Sequence, residues 1–167
     1  MRAVVQRVRR AEVEVEGEVV GAIGRGLLVL ACAMDGDGDA DVAWLADKLP
    51  ALRVFPNEQG RMDLCLSQLP AAEQGLLLVS QFTLAADLGP GVSKGNRPAF
   101  TSAMAPAAAS ACVDKLAASL RTRLPAGAVR MGVFGADMKV TLENDGPVTL
   151  WLDTRRSPRL GEGVDGG

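Results

Sequence analysis

Histidine is absent from all 167 residues. That absence removes Ser-His-Asp and Cys-His nucleophile chemistry and every His-ligated metal site. Catalysis by this chain must rest on backbone groups, hydroxyls, carboxylates, lysine, bound water or the substrate itself. Tyrosine is also absent, and aromatic residues make up only 4%. The three cysteines, Cys32, Cys65 and Cys112, sit among apolar neighbours at spacings unlike any zinc pattern. Their odd number does not suggest a disulfide framework, so they read as buried free thiols. No metal and no cofactor is expected. No apolar run is long enough to span a membrane, the longest being the strand-sized GLLVLACAM. The opening MRAVVQRVRR mixes charged and apolar residues and lacks a secretory hydrophobic region, so a cytoplasmic location is expected. There is no surplus of positive charge either. A formal net charge of −2 argues against a protein that grips duplex nucleic acid, DNA included, while leaving room for one that touches only an RNA end.

What is present is ordinary for a globular protein: 48% hydrophobic and 23% charged residues, enough chain for one domain with a real core. Residues 3–8 read as a strand. Residues 11–16 alternate Val13 and Val15 with Glu12, Glu14 and Glu16. Gly17 marks a turn, and 19–23 returns as the partner strand. Residues 27–34 form a continuous apolar run suited to a central buried strand. DGDGDAD (35–41) resembles the start of a calcium loop, but Ala40 and Ala46 stand where glycine and a bidentate glutamate are needed. It reads instead as a loop that ends in a helix cap, Asp39 or Asp41, with Pro50 disturbing or ending the helix. Short extended pieces follow at 53–55 and 62–66. A buried strand then begins at Gly75, and a Gly/Pro-rich loop spans 87–98. A long helix starts near Pro106 with Val113, Leu116, Leu120 and Leu124 on one face. The chain returns to strands in VRMGVF, MKVTLE and VTLWLD. The predicted organisation is one α/β domain over 1–154, richer in strands than helices. A polar, Gly-rich tail over 155–167 is expected to be disordered.

Three stretches carry polar or glycine residues where a plain strand would not. In SQFTL (80–84), a Leu-Leu-Leu-Val strand turns to Ser80, Gln81 and Thr83 around Phe82. Strand ends deliver polar groups to pockets, yet the residues alone favour the plainer reading, a strand emerging into solvent. FGADM (134–138) places Gly135 between two strands, where backbone can approach a ligand. NDGP (144–147) joins two alternating segments and reads as the tip of a hairpin. Pro147 is unneeded there, since Asp145-Gly146 alone would make the turn. GPGVSKGNRP lacks the spacing of a phosphate loop.

The opening QRVRRAEVEVEGEVVGAIGRGLLVL, SQFTL at 80–84, KGNRPAF at 94–100 and FGADMKVTLENDGPVTLWLDT at 134–154 together resemble bacterial-type D-aminoacyl-tRNA deacylases. DADVAWLADKL and VFPNEQGRMDLCL fall in the expected order, and the resemblance extends to about Thr154. It implies a homodimer whose mostly antiparallel sheet closes into a barrel-like core flanked by helices. The implied reaction is hydrolysis of the ester joining a D-amino acid, or glycine, to the 3′ end of tRNA, with L-aminoacyl-tRNA rejected. Ser80, Gln81, Phe82 and Thr83 would line the pocket, with Gln81, Phe82 and Thr83 nearest the chemistry. Phe134 and Met138 would lie near the terminal adenine. Gly146-Pro147 would form a cis peptide reaching into the partner's pocket, and Arg7 would help hold that loop. An ordered water would attack the carbonyl, with Thr83 as covalent nucleophile the runner-up. A non-catalytic RNA-end or nucleotide-binding module is the rival from another class. The chain departs from the family at Ala85, where an aromatic residue is usual, and in the loop at 87–98, about four residues longer than usual.

Overall fold

The computed structural model describes residues 1–89 and 96–156. The central part of the long Gly/Pro-rich loop and the tail beyond 156 lie outside the described residues. The chain opens with a long strand, β1 (Arg2–Val15), and turns back into β2 (Glu18–Ile23). The turn between them has φ of 52° at Glu16 and 86° at Gly17, the left-handed pair that a tight hairpin requires. β3 (Gly26–Cys32), β6 (Gly75–Ser80) and β7 (Val129–Met131) run parallel to one another, in the order β3-β6-β7. β1 pairs antiparallel with all its neighbours. One edge is shared by β3 at residues 2–8 and β2 at 11–15; the other carries β8 (Met138–Asp153) along its whole length. A separate hairpin, β4 (Arg53–Pro56) and β5 (Met62–Cys65), follows the first helix.

Sheet curvature brings the far strands together. A side chain at Gly21 in β2 would come within 2.6 Å of the Met131 carbonyl in β7, and one at Gly132 within 2.6 Å of Met138 Sδ. The result is a nearly closed, barrel-like sheet, mostly antiparallel, with helices on one side. Its strands explain their own composition. Leu27, Val29, Leu76 and Leu78 face the helices, while Leu28, Leu77 and Val79 face the barrel interior with Val8, Ala11 and Val13. Strands buried on both faces need continuous apolar runs, which is why GLLVLAC and GLLLV show no alternation.

The helices α1 (Asp39–Ala51) and α2 (Pro106–Arg121) bury Leu45, Leu49, Val113, Leu116 and Leu120 in that core. Each fully buried leucine contributes about 1.5–3 kcal/mol of apolar transfer. Lys115–Asp39 (2.7 Å) and Arg123–Asp47 (2.6 Å) bridge the helices at the surface and add little.

Several expectations need correction. The residue capping α1 is Gly38, not Asp39 or Asp41; Asp41 instead folds back to accept the Gly38 N–H at 3.0 Å. The acidic run is committed to a buried charge: the Met1 amino group lies 2.8 Å from Asp37 Oδ2 and 2.5 Å from Thr154 Oγ1. Cys65 is half-exposed, while Cys32 and Cys112 are buried as expected. Most importantly, NDGP is not a hairpin tip. MKVTLE and VTLWLD are two parts of one strand, both paired to β1 in the same direction. The pattern of two alternating segments around a turn fits this arrangement as well, because β1 is long enough to hold both.

Candidate active site

The parallel strands β3, β6 and β7 all end at the same edge of the sheet, and the chain leaves each through an irregular segment. Crevices form at such carboxyl ends because the loops diverge there. Here they enclose a cavity of about 550 Å³. Its floor is made of small side chains from the ends of β3 and β6 and the start of α2, among them Ala31, Ala33 and Ala109. Ser80, Gln81 and Phe82 line one side, and Phe134, Gly135, Ala136 and Met138 line another. The two stretches SQFTL and FGADM, separate in sequence, thus face one space.

SQFTL is held firmly. The Gln81 N–H donates to the Ala31 carbonyl at 2.7 Å, extending the pairing of β6 with β3 by one residue. The chain then enters a 3-10 turn, Phe82–Ala85, with Leu84 N–H on the Gln81 carbonyl. The N–H groups of Phe82 and Thr83 open that turn, where no intrahelical acceptor exists for them. Arg2 Nη1 donates to the Leu84 carbonyl at 2.9 Å and secures the turn from β1. Ala85 is buried against Cys32 and Met34, so a larger side chain there would need room that this packing fills. Gln81 Nε2 donates to Thr83 Oγ1 at 2.5 Å, and Thr83 is not among the residues lining the cavity.

Phe82 is 61% exposed and Phe134 40%, unusual for large apolar rings, and both stand at the cavity. Phe100 packs edge-to-face on Phe82, with centroids 5.1 Å apart. Phe100 also lines the cavity, although nothing in the pattern of KGNRPAF marks it as a site residue. The small residues of the floor gave no signal, since alanine in a helix or strand reads as core. Cys32 also lines the cavity; burial pushes its thiol pKa up, outweighing the opposing pull of Arg2. Among the described residues there is no group of three or more Cys, Asp or Glu side chains that could hold a metal ion.

Gly146 and Pro147 are exposed and do not line the cavity of their own chain. In the β1–β8 ladder Gln6 pairs with Thr149 and Val8 with Asn144, so residues 145–148 stand opposite Arg7 alone. The strand makes a four-residue excursion there. Among the described residues no peptide bond is cis, so Gly146-Pro147 is trans, not the expected cis. Trans is the lower-energy isomer of an X-Pro bond by ~0.5–1 kcal/mol, and Pro147 is exposed in the single chain.

Arg7 stands opposite the excursion. Its side chain is buried; Nε donates to the Asp145 carbonyl at 3.1 Å and pairs with the Asp145 carboxylate, while Nη1 donates to the Val54 carbonyl of β4. Gly146 has φ of +112°, and a Cβ there would overlap an Arg7 guanidinium nitrogen. Both facts require glycine at that position.

Comparison with known proteins matches this arrangement of strands and motifs to one family. Residues 4–153 fit the family model described as D-Tyr-tRNA(Tyr) deacylase. A D-aminoacyl-tRNA deacylase of Anaeromyxobacter dehalogenans is 51% identical over 93% of this chain and 99% of its own length. One from Ruegeria pomeroyi is 50% identical over 92% and 99%. A solved structure titled c-Myc DNA Unwinding Element Binding Protein superposes with a TM-score of 0.80, at 39% identity and covering 95% of this chain and 99% of that one. A structure described as a probable eukaryotic D-amino acid tRNA deacylase shares the fold at TM-score 0.70 and 16% identity, covering 90% and 97%. The chain belongs to the D-Tyr-tRNA(Tyr) deacylase family and is an enzyme, a deacylase.

Proposed function

We propose that this chain hydrolyses the ester joining a D-amino acid or glycine to the 3′ end of tRNA and spares the L-aminoacyl ester. The observation that carries this is the cavity at the ends of β3 and β6, where SQFTL meets the exposed rings of Phe82 and Phe134. An aromatic edge beside a small-residue floor suits a nucleobase with an attached aminoacyl group. Phe134 and Met138 hold the terminal adenine. Ser80 and Gln81 orient the aminoacyl ester.

An aminoacyl ester is already activated, so modest help suffices. A water molecule adds to the carbonyl carbon and the oxyanion is received by the N–H groups at the start of the Phe82–Ala85 turn. The carbon–oxygen bond to the ribose then breaks, the neighbouring 2′-hydroxyl relays the proton, and free amino acid and tRNA leave. Thr83 is not the nucleophile in this scheme: its hydroxyl already accepts from Gln81 and the chain has no histidine to activate it. No metal enters any step.

Selection against L falls to Gly146-Pro147 of a second copy of the chain. Gly146 and Pro147 are exposed and do not line the cavity of their own chain. A homodimer that inserts it into the partner's cavity places rigid backbone where an L side chain would point. Obstruction separates the two isomers economically, and glycine passes because it has no side chain.

The test is direct. D-Tyr-tRNA, Gly-tRNA and L-Tyr-tRNA are each incubated with the protein and the remaining ester is followed over time. D-Tyr and glycyl esters should disappear and the L-Tyr ester persist. Equal cleavage of both tyrosyl isomers would refute the selection mechanism. Tight binding of tRNA ends without turnover would favour a non-catalytic module instead.

A further inference from the structure

The excursion on β8 is braced at two places, and Arg7 accounts for only one of them. At the neck, Asn144 Nδ2 donates to the Arg7 carbonyl at 2.9 Å and to the Val148 carbonyl at 3.2 Å. Those carbonyls belong to the β1 residue opposite the excursion and to its last residue, beside Thr149 where pairing resumes. One amide therefore spans the interruption in the ladder. A bulge of this size separates main-chain groups that would otherwise pair, and each needs a partner when partly buried. An asparagine nitrogen carries two donors and can serve two carbonyls at once; an aspartate of nearly the same shape offers only acceptors. Asparagine is disfavoured in strands, so strand preference does not explain its presence here.

We propose that Asn144 is a positioning residue for chiral selection: its side-chain amide fixes the neck of the excursion and thereby sets where Gly146 and Pro147 are presented. This rests on the reading of Gly146-Pro147 as the element that excludes L side chains. Asn144 touches no substrate. It acts through main-chain carbonyls, while Arg7 and Asp145 act nearer the tip. With both braces the excursion has one shape; with the neck released, the tip can swing while the SQFTL cavity stays intact.

The experiment measures single-turnover hydrolysis of D-Tyr-tRNA and L-Tyr-tRNA by wild type, Asn144→Asp, Asn144→Ser and a variant in which residues 145–148 are replaced by one glycine. Thermal unfolding is recorded for each. Two hydrogen bonds of ordinary strength correspond to about tenfold in a ratio. Asn144→Asp should raise the L-to-D rate ratio by at least that factor, about tenfold, while the D rate stays within about threefold of wild type. Asn144→Ser, which keeps one donor, should fall between. The shortened variant separates this idea from the reading beneath it. If shortening raises the ratio but both Asn144 variants leave it unchanged, the reading stands and the role of Asn144 is overturned. If Asn144 variants lose both rates in step with a lower unfolding temperature, the residue is merely structural and the proposal is overturned. If shortening leaves the ratio unchanged, the selection reading fails and takes the proposal with it.

Discussion

SQFTL and NDGP both break the pattern of a strand, one apolar and one alternating, and the two breaks differ in what they form. SQFTL comes at the end of β6, a strand buried on both faces and flanked by parallel neighbours. Its turn is tied down by the Ala31 carbonyl and by Arg2, and it borders a cavity of about 550 Å³. NDGP comes in the middle of β8, which among the described strands pairs with β1 alone. Its excursion is tied down by Arg7 and Asn144, and Gly146 and Pro147 stand exposed. A strand interrupted at its end leaves a hollow between diverging loops. A strand interrupted midway pushes backbone outward. One motif is built to receive and the other to project, and one chain does not bring them together. That separation is the physical reason for proposing that the projection enters a partner's hollow.

If the two regions have separate tasks, changes in one should spare the task of the other. The largest effect is expected from Arg7→Ala. It removes a buried guanidinium that joins β4 to the excursion, which should cost about 2–3 kcal/mol of stability. It should also raise cleavage of L-Tyr-tRNA relative to D-Tyr-tRNA more than any other single change. Denaturant unfolding and paired deacylation assays check both. A stable variant with unchanged selectivity would break the division of tasks.

Phe134→Ala should do the reverse. Loss of a base-stacking face is worth ~1–3 kcal/mol, so KM for D-Tyr-tRNA should rise about tenfold or more. Phe134 is substantially exposed, so unfolding temperature should hardly move, and the L-to-D ratio should stay at the wild-type value. A changed ratio would mean that the cavity wall takes part in chiral selection.

The smallest effect concerns Cys32, whose Sγ lies 3.6 Å from the Phe82 carbonyl. Burial raises its pKa above the ordinary thiol value of 9.0. A group raised in the folded state stabilises the protein below its unfolded value and loses that contribution as pH rises through the folded value. Unfolding temperature should therefore fall above pH 9.0 more steeply in wild type than in Cys32→Ala. Buried Cys112 is shifted the same way, so the double replacement should flatten the fall further.

The strand and helix positions were largely legible because they follow from hydrophobic period: β3 and β6 from unbroken apolar runs, α2 from Pro106 and the Val113, Leu116, Leu120 face. The barrel-like closure, and the meeting of SQFTL with Phe134 and Met138, came from likeness to a family. Periodicity does not say which strands become neighbours. The hairpin expected at NDGP failed for a related reason. Local pattern shows that 138–143 and 148–153 are both strands but not that they share one partner in one direction; that depends on β1 extending over 14 residues. The pattern predicts Asp39 or Asp41 as the cap of α1, and Gly38 takes that place while Asp37 and Asp41 gather around the Met1 amine. Nothing local announces a contact between residues so far apart. By residue type alone Asn144 is a turn-former. Its work at the neck of the excursion becomes visible only once β1 lies beside it.

The most direct measurement is a cross-link between subunits. A photoreactive amino acid is placed at position 147 in the full chain, irradiated in solution, and the adduct is mapped by mass spectrometry in mixed isotope-labelled protein. The expected result is a covalent dimer joining position 147 of one chain to the SQFTL segment or to Phe134 of the other. Adducts confined to a single chain, or a monomer that yields no dimer at working concentration, would contradict a projection from one subunit that completes the cavity of its partner.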